Sequence, residues 1–228
     1  MSEMDNSRRE ELYTEAISLC RGSANEENIL KAQQILEEIG DYRDAAIYLE
    51  KCKKFLSHRV GCKVTFGNYE GKDLVWTVMD ADGDMRLLLL DGTVANVPFN
   101  EESVNTDWNS CTLRKWLNRT FIEKAFTLKE RMTITIKLHK NDYDIRWKDG
   151  NGPDTKDKVY VFSTVEARKY FPTDEARANG EWWWLRGHGD ELRSIQAVYI
   201  DGSIYGTGII VTTTSCGVRP AMWVRVSI

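Results

Sequence analysis

Two motifs near the C-terminus constrain this chain more than any other feature. They are Trp182-Trp183-Trp184-Leu185-Arg186-Gly187 and, some thirty residues on, Gly217-Val218-Arg219-Pro220-Ala221-Met222-Trp223. On a strand, successive side chains alternate between faces, so Trp183 is expected opposite Trp182 and Trp184, and at least one face must be core. Gly217 suits a close backbone approach or unusual dihedrals. Pro220 lacks a backbone donor and suits a bend or an edge better than a central ladder site. The pair implies a domain whose chain end returns to its centre, with Trp183, Arg186, Gly217, Arg219 and Pro220 in structural roles.

Residues 1–57 read as helix, and residues 58–228 as a separate, mixed part. Ser7 to Cys20 carries Leu12, Ala16, Ile17 and Leu19 at helical spacing and stops at Gly22-Ser23. A second helix starts near Asn25-Glu26-Glu27, where caps and acids suit an N-terminus, buries Ile29, Leu30, Ala32, Ile35, Leu36 and Ile39, and ends at Gly40. Asp41 is expected to open a third, with Ala45, Ala46, Leu49, Cys52, Phe55 and Leu56 buried. The phrase from Ala32 to Ala45 resembles the helical hairpins of tetratricopeptide-like and Sel1-like repeats. One such unit cannot bury its own apolar face, so it must pack on the second part, on a partner or on another copy of itself.

From Val60 the period changes to two. Val64–Tyr69 is expected to be a strand, and Leu74–Met79 and Met85–Leu90 a hairpin across Asp82-Gly83. Helix follows over Leu113–Phe126, with a capping box at Thr127 and Glu130. A strand over Lys158–Ser163, a helix over Thr164–Tyr170, the Trp strand, a strand pair around Asp201-Gly202 and a last strand over Met222–Val226 complete an α+β reading. Lys140 to Lys156 is polar and Gly-rich, a surface loop.

Several ordered segments together resemble an uncharacterised bacterial domain family with a Trp-Trp-Leu-Arg-Ser…Gly-Val-Arg-Pro-Ala signature. They include Val64-Thr65-Phe66-Gly67, Leu74-Val75-Trp76, Cys111-Thr112-Leu113-Arg114-Lys115-Trp116-Leu117-Asn118, Asp154-Thr155-Lys156-Asp157-Lys158-Val159 and both C-terminal motifs. Gly187-His188-Gly189 departs from the family's usual Ser-Pro-Gly. The resemblance implies a C-type-lectin-like fold with short antiparallel strands and two or three helices, related to the formylglycine-generating enzymes and to the variable proteins of diversity-generating retroelements.

Composition narrows the function. Hydrophobic residues at 42% and aromatics at 11% support a substantial core. With 31 basic against 35 acidic residues, net −4, no basic excess draws the chain to nucleic acid. No apolar run approaches the ~18 residues of a membrane span. No signal peptide opens the chain, so a cytoplasmic location is expected, with export by a route lacking such a signal left open. The five cysteines lack zinc or redox spacing. Asp80-x-Asp82-x-Asp84 imitates a calcium loop, but Met85 stands where glycine is needed, and a hairpin turn is expected.

No catalytic set, cofactor or metal site is expected. Exposed aromatics among adaptable polar groups suggest a recognition surface made of Trp147, His188, Asp190, Arg193, Tyr199, Asp201 and Tyr205. The reading is a non-catalytic module that binds a protein or glycan. The alternatives are a formylglycine-generating-type enzyme using Cys216, or a structural protein that self-associates through residues 1–57.

Overall fold

Three helices open the chain: α1 (Asn6–Arg21), α2 (Glu26–Ile39) and α3 (Ala45–Ser57). The computed structural model describes residues 5–22, 25–141, 152–191 and 193–226. The Asn25 side chain caps α2 by accepting from the Asn28 N–H at 2.8 Å, and Gly40 at φ +64° ends it. Ile29, Ala32, Ile35, Leu36 and Ile39 form its buried stripe, while Leu30 is exposed. The third helix begins at Ala45 rather than Asp41, and its phase puts Ala45, Cys52, Phe55 and Leu56 inside. Ala46, expected in the core, is one position out of that stripe and faces solvent.

The helices pack on the rest of the chain through Arg86, which is 1% exposed. Its Nε donates to the His58 carbonyl (2.7 Å), its Nη1 donates to the Gly83 and Met85 carbonyls, and its guanidinium lies 4.3 Å from the centroid of Phe55. An arginine suits this position because a planar cation stacks on a ring while its fork reaches several carbonyls.

Eleven short strands and five further helices make up the larger part, with elements outside the described residues uncounted. They are β1 (Lys63–Tyr69), β2 (Lys72–Asp82), β3 (Met85–Leu90), α4 (Thr112–Trp116), α5 (Ile122–Ala125), α6 (Leu128–Thr133), β4 (Ile134–Thr135) and β5 (Lys137–His139). After them come β6 (Thr155–Asp157), β7 (Val159–Tyr160), α7 (Thr164–Tyr170), α8 (Asp174–Arg177), β8 (Trp183–His188), β9 (Ser194–Val198), β10 (Ile204–Ile210) and β11 (Ala221–Arg225). A π-helical turn, Leu117–Phe121, joins α4 to α5. Thr127 and Glu130 form the capping box of α6. The first hairpin expected from the sequence, β2–β3, pairs Asp82 with Met85, so its turn residues are Gly83-Asp84, one place beyond the expected Asp82-Gly83. Gly83 takes φ +58°, which a tight turn needs at its first position. Of the strand expected over Lys158–Ser163 only β7 (Val159–Tyr160) forms, paired with β11, while β6 lies before that span and pairs with β5.

The main sheet runs β1-β2-β3-β11 and then forks. Beyond β11, β7 pairs with its first half (Ala221↔Tyr160, Met222↔Val159) and β4 with its second (Trp223↔Thr135, Val224↔Ile134). The last strand is therefore central. Pro220 lies immediately before it, where a missing donor breaks no ladder bond, and its carbonyl accepts from Leu90 N at 3.0 Å. Just upstream, Gly217 donates to the Trp182 carbonyl (2.7 Å) and accepts from Trp184 N (3.0 Å), joining this return segment to β8. A Cβ on Gly217 would sit 2.5 Å from Thr93 Cγ2, so close approach is what requires glycine here. Gly67 has the same role at the bulge in β1, at φ +78° and with Phe126 Cε1 2.5 Å from where a Cβ would be.

The backbone of β8 is bonded to β9 on one edge and to Gly217 and Phe162 on the other, and all six of its residues are buried, so both of its faces are covered. Trp183 and Trp184 are both fully enclosed despite their alternation. The helical motif from Cys111 to Asn118 has a comparable logic. Arg114 and Asn118 lie one turn apart on one helix face, and both reach the same stretch of chain. Arg114 Nε donates to Asp157 Oδ1 at 2.6 Å, and Asn118 accepts from Lys158 and Val159 N while donating to the Val159 carbonyl. Asp157, whose side chain is 1% exposed, also accepts from Trp108 Nε1 and Thr155 Oγ1.

Arg114→Ala leaves the Asp157 carboxylate buried without its cation and is expected to lower unfolding free energy by about 3–5 kcal/mol in denaturant titration. Gly217→Ala should cost about 1–3 kcal/mol, with partial recovery in Gly217→Ala/Thr93→Ala, since the second change opens space for the new methyl.

Candidate functional site

A three-stranded sheet, β8-β9-β10, carries most of the candidate residues, and its two ends differ in character. At one end Trp183 pairs with Val198 and Val198 with Ile204. The β9–β10 turn closes with Gly202 N donating to the Tyr199 carbonyl and Tyr199 N to the Ser203 carbonyl. Asp201 stiffens it by accepting from Ser203 N (2.9 Å) and Ser203 Oγ (2.7 Å), and these bonds hold its carboxyl below the usual range. Arg177 of α8 anchors the turn from behind, its Nε donating to the Gly202 carbonyl at 2.9 Å.

This turn brings three aromatic rings together. Trp182 meets Tyr199 edge to face at 4.1 Å between centroids, and Tyr199 meets Tyr205 at 4.9 Å. All three are half-buried. Burial first, and then the adjacent Tyr205, raise the Tyr199 phenol above its ordinary pKa. Beside the rings lies a cleft of about 340 Å³ lined by Asn96, Gly180, Glu181, Trp182, Ile200 and Ser215, with Ile200 55% exposed. Trp182 belongs to both the ring cluster and the cleft. Alternation sets Trp182 on the same face as Trp184, yet Trp184 is buried and Trp182 only half-buried, and its place one residue before β8 is the signal that separates it from the other two.

At the other end lie His188, Asp190 and Arg193. Five residues of strand separate Trp183 from His188, roughly 16 Å at strand rise. The candidate residues therefore do not share one patch. His188 is buried, and burial lowers its pKa while the Asp107 charge partly offsets that. Asp190 is exposed and its N–H donates to the Thr207 carbonyl at 2.8 Å, whereas Arg193 is exposed at φ +66°. Trp147 lies outside the described residues.

Of the buried arginines of the two motifs, Arg186 is occupied within the protein, whereas Arg219 is bonded through Nε and leaves a buried Nη1 without a hydrogen-bond partner among the described residues. Arg186 donates from Nε to Asn141 Oδ1 (3.2 Å), from Nη1 to the Val161 carbonyl (2.9 Å) and to Glu166, and from Nη2 to the Lys140 carbonyl (3.0 Å). Four of its five N–H groups are thereby used, which leaves no fork for a bidentate ligand. Arg219 donates from Nε to the Leu90 carbonyl and lies about 5 Å from the centroids of Trp183 and Phe171. Burial lowers its pKa to about 10.

Next to Arg186 a pocket of about 320 Å³ is lined by Lys137, His139, Tyr160, Glu166 and Trp223 among others. The His139 ring packs 3.7 Å from that of Tyr160. Burial first, then the Arg186 charge, lowers its pKa to about 4. Elsewhere, Cys216 is fully enclosed and burial alone raises its thiol, so at neutral pH it is not the thiolate that a nucleophile requires. The three aspartates of the first hairpin diverge: Asp80 to Lys169 and Tyr170, Asp82 to Lys137, Asp84 to Arg225. Among the described residues no group of three His, Cys, Asp or Glu could hold a metal ion, and no helix is long and apolar enough to cross a membrane.

The His139 shift has a measurable consequence. Its folded pKa, about 4, lies below the unfolded value of 6.5, so between these values the unfolded chain binds the extra proton. Stability is therefore complete above about pH 6.5 and drains as pH falls towards 4. His139→Phe should flatten this decline by about 3 kcal/mol relative to the unaltered chain in urea titrations across that range.

Comparison with known proteins gives a family and nothing closer. Residues 84–226 match the family described as a domain of unknown function, DUF6273. The match begins inside the first hairpin turn, so β1 and β2 fall outside it although they complete the same sheet. No curated protein and no solved structure matches the chain. From Asp84 to Val226, which is more than half of its length, the chain belongs to the DUF6273 family.

Proposed function

We propose that residues 58–228 are a non-catalytic recognition module of C-type-lectin-like architecture, which binds a protein or glycan ligand at the Trp182–Tyr199–Tyr205 end of the β8-β9-β10 sheet. The observation that carries this reading is the cluster of three half-buried rings beside a 340 Å³ cleft, mounted on a stiffened turn. Aromatic rings with a polar tip bind well at partly wet surfaces: the ring face buries apolar area, and the hydroxyl or indole N–H keeps a hydrogen-bonding partner. The cleft adds Glu181, Asn96 and Ser215 as polar groups for sugar hydroxyls or peptide amides. The return of the last strand to the middle of the sheet supports the lectin-like architecture. No observation favours the enzyme alternative at Cys216, whose thiol is enclosed.

Arg177 and Asp201 both hold the turn through hydrogen bonds, and a turn ordered before binding lowers the entropic cost of capturing a ligand.

Screening the chain against immobilised oligosaccharides and against peptides is expected to yield a ligand whose capture falls at least tenfold in Trp182→Ala and Tyr205→Ala. Melting temperatures of these variants should stay within about 3 °C of the parent, since the rings are only half-buried. Arg193→Ala, at the far end of the sheet, should bind as the parent does. Equal loss of binding in Arg193→Ala, or binding losses that track melting temperature, would overturn the assignment.

A further inference from the structure

The sequence reading set the cysteines aside because they are scattered, yet the fold brings two of them into contact. Cys20 lies in the last turn of α1 and Cys52 in the second half of α3, with 31 residues between them. Their sulfur atoms are 3.6 Å apart in a buried hydrogen-bonding contact. Of the other three, Cys111 is engaged with the Trp108 carbonyl and with Arg114 N, Cys216 is enclosed, and Cys62 is half-buried.

We propose that Cys20 and Cys52 are a reversible disulfide site, oxidised by a low-molecular-weight disulfide, that locks the first helix of the chain to the third.

Geometry supports the bond. A disulfide holds its sulfurs at about 2.05 Å, so this pair must close by roughly 1.5 Å, within reach of small side-chain torsions when the thiols already face each other. The chemistry is ordered by the two environments. Cys20 is 8% exposed and Cys52 is fully buried, so an external disulfide reaches Cys20 first. Either thiol can donate across the contact, and when Cys52 donates, its hydrogen bond favours the Cys20 thiolate while Cys52 keeps its proton. In the first step the Cys20 thiolate attacks one sulfur of RSSR and expels RS⁻, leaving Cys20–S–S–R. In the second, Cys52 loses its proton and attacks the Cys20 sulfur, expelling a second RS⁻. The two cysteines together lose two electrons and two protons, and RSSR gains them as two RSH. Excess thiol runs both steps backward.

The bond would act on a strategic element. The same α3 carries Phe55, and His58 follows its end, the two residues that receive Arg86 of the sheet. Locking α1 to α3 therefore stiffens the unit that packs on the larger part, without touching the Trp182 cleft. The inference stands independently of the ligand-binding proposal.

The test uses the full chain incubated with oxidised glutathione, then alkylated under denaturing conditions and mapped by mass spectrometry after proteolysis. The expected product is a peptide containing Cys20 joined to one containing Cys52, two hydrogens lighter than the reduced pair and separated again by dithiothreitol. Melting temperature should rise by roughly 5–10 °C on oxidation, because the cross-link restricts the unfolded chain. In Cys52→Ala the second step is removed, so Cys20 should retain one glutathione as a stable adduct. Because the parent chain decides the matter by mapping alone, a variant that folds poorly does not weaken the test. Links from Cys20 or Cys52 to Cys62, a glutathione adduct that persists on Cys20 of the parent, or full alkylation of both thiols after oxidation would each overturn the proposal.

Discussion

The return of the chain end to the middle of the sheet is the constraint on which the rest of this structure depends. From Gly217 to Arg225 the backbone bonds in turn to β8, β3, β7 and β4. Each of those partners is short, and β4 and β7 are two residues each. Such fragments are marginal as strands when isolated, and here they persist because one central strand supplies a continuous ladder for all of them. The demand on the return segment is correspondingly strict. Gly217 must pass within methyl distance of Thr93, and Pro220 must come before the ladder begins.

Buried and half-buried arginines do the complementary work of fixing irregular chain. Arg86 ties the first hairpin to the helical segment, Arg114 ties α4 to β6, Arg177 ties α8 to the β9–β10 turn, and Arg186 ties β8 to the chain around Lys140 and Val161. Among the described residues, Arg114, Arg177 and Arg186 of this group pair with a carboxylate. Apart from the bond of Arg186 Nε to Asn141 Oδ1, the group's other hydrogen bonds go to backbone carbonyls, which in loop-rich chain would otherwise be buried without partners. A guanidinium serves this purpose better than an ammonium because its donors diverge in a plane and its faces can lie against rings, as with Phe55, Tyr160, Trp183 and Phe171. The same engagement leaves Arg186 no free fork for a bidentate ligand. At the aromatic end of the three-stranded sheet, by contrast, the rings are neither fully covered nor fully exposed.

Much of the architecture was legible in sequence because it rests on local chemistry. The helical stripe from Ile29 to Ile39, the Asn25 cap, the Gly40 stop, the Thr127–Glu130 capping box and the helix over Thr164–Tyr170 all follow from interactions within one or two turns. The α+β class follows from the same signals. The turn of the first hairpin was misplaced by one residue, since Asp-Gly and Gly-Asp satisfy similar turn chemistry and the register is set by the pairing of β2 with β3. The burial of Ala46 was misjudged because α3 starts at Ala45, while Tyr42 N–H donating to the Ile39 carbonyl and Ala45 N–H donating to the Tyr42 carbonyl hold Asp41 to Asp44 in a turn.

By itself the sequence determined the kinds of element, their order and the presence of two motifs that must meet. Only the tertiary structure decided where they meet and what that leaves exposed. Strand alternation predicts two faces for Trp182, Trp183 and Trp184, yet β8 is covered on both, and Trp182 alone reaches the surface because it lies before the strand begins. The residues from His188 to Tyr205 read as one stretch but occupy opposite ends of a sheet, because an antiparallel hairpin separates neighbours in sequence by the length of a strand. Cys20 and Cys52 touch because α2 folds α3 back onto α1. Periodicity records which side of an element is apolar; it does not record which other element will cover that side, and that pairing is decided by packing across the whole chain.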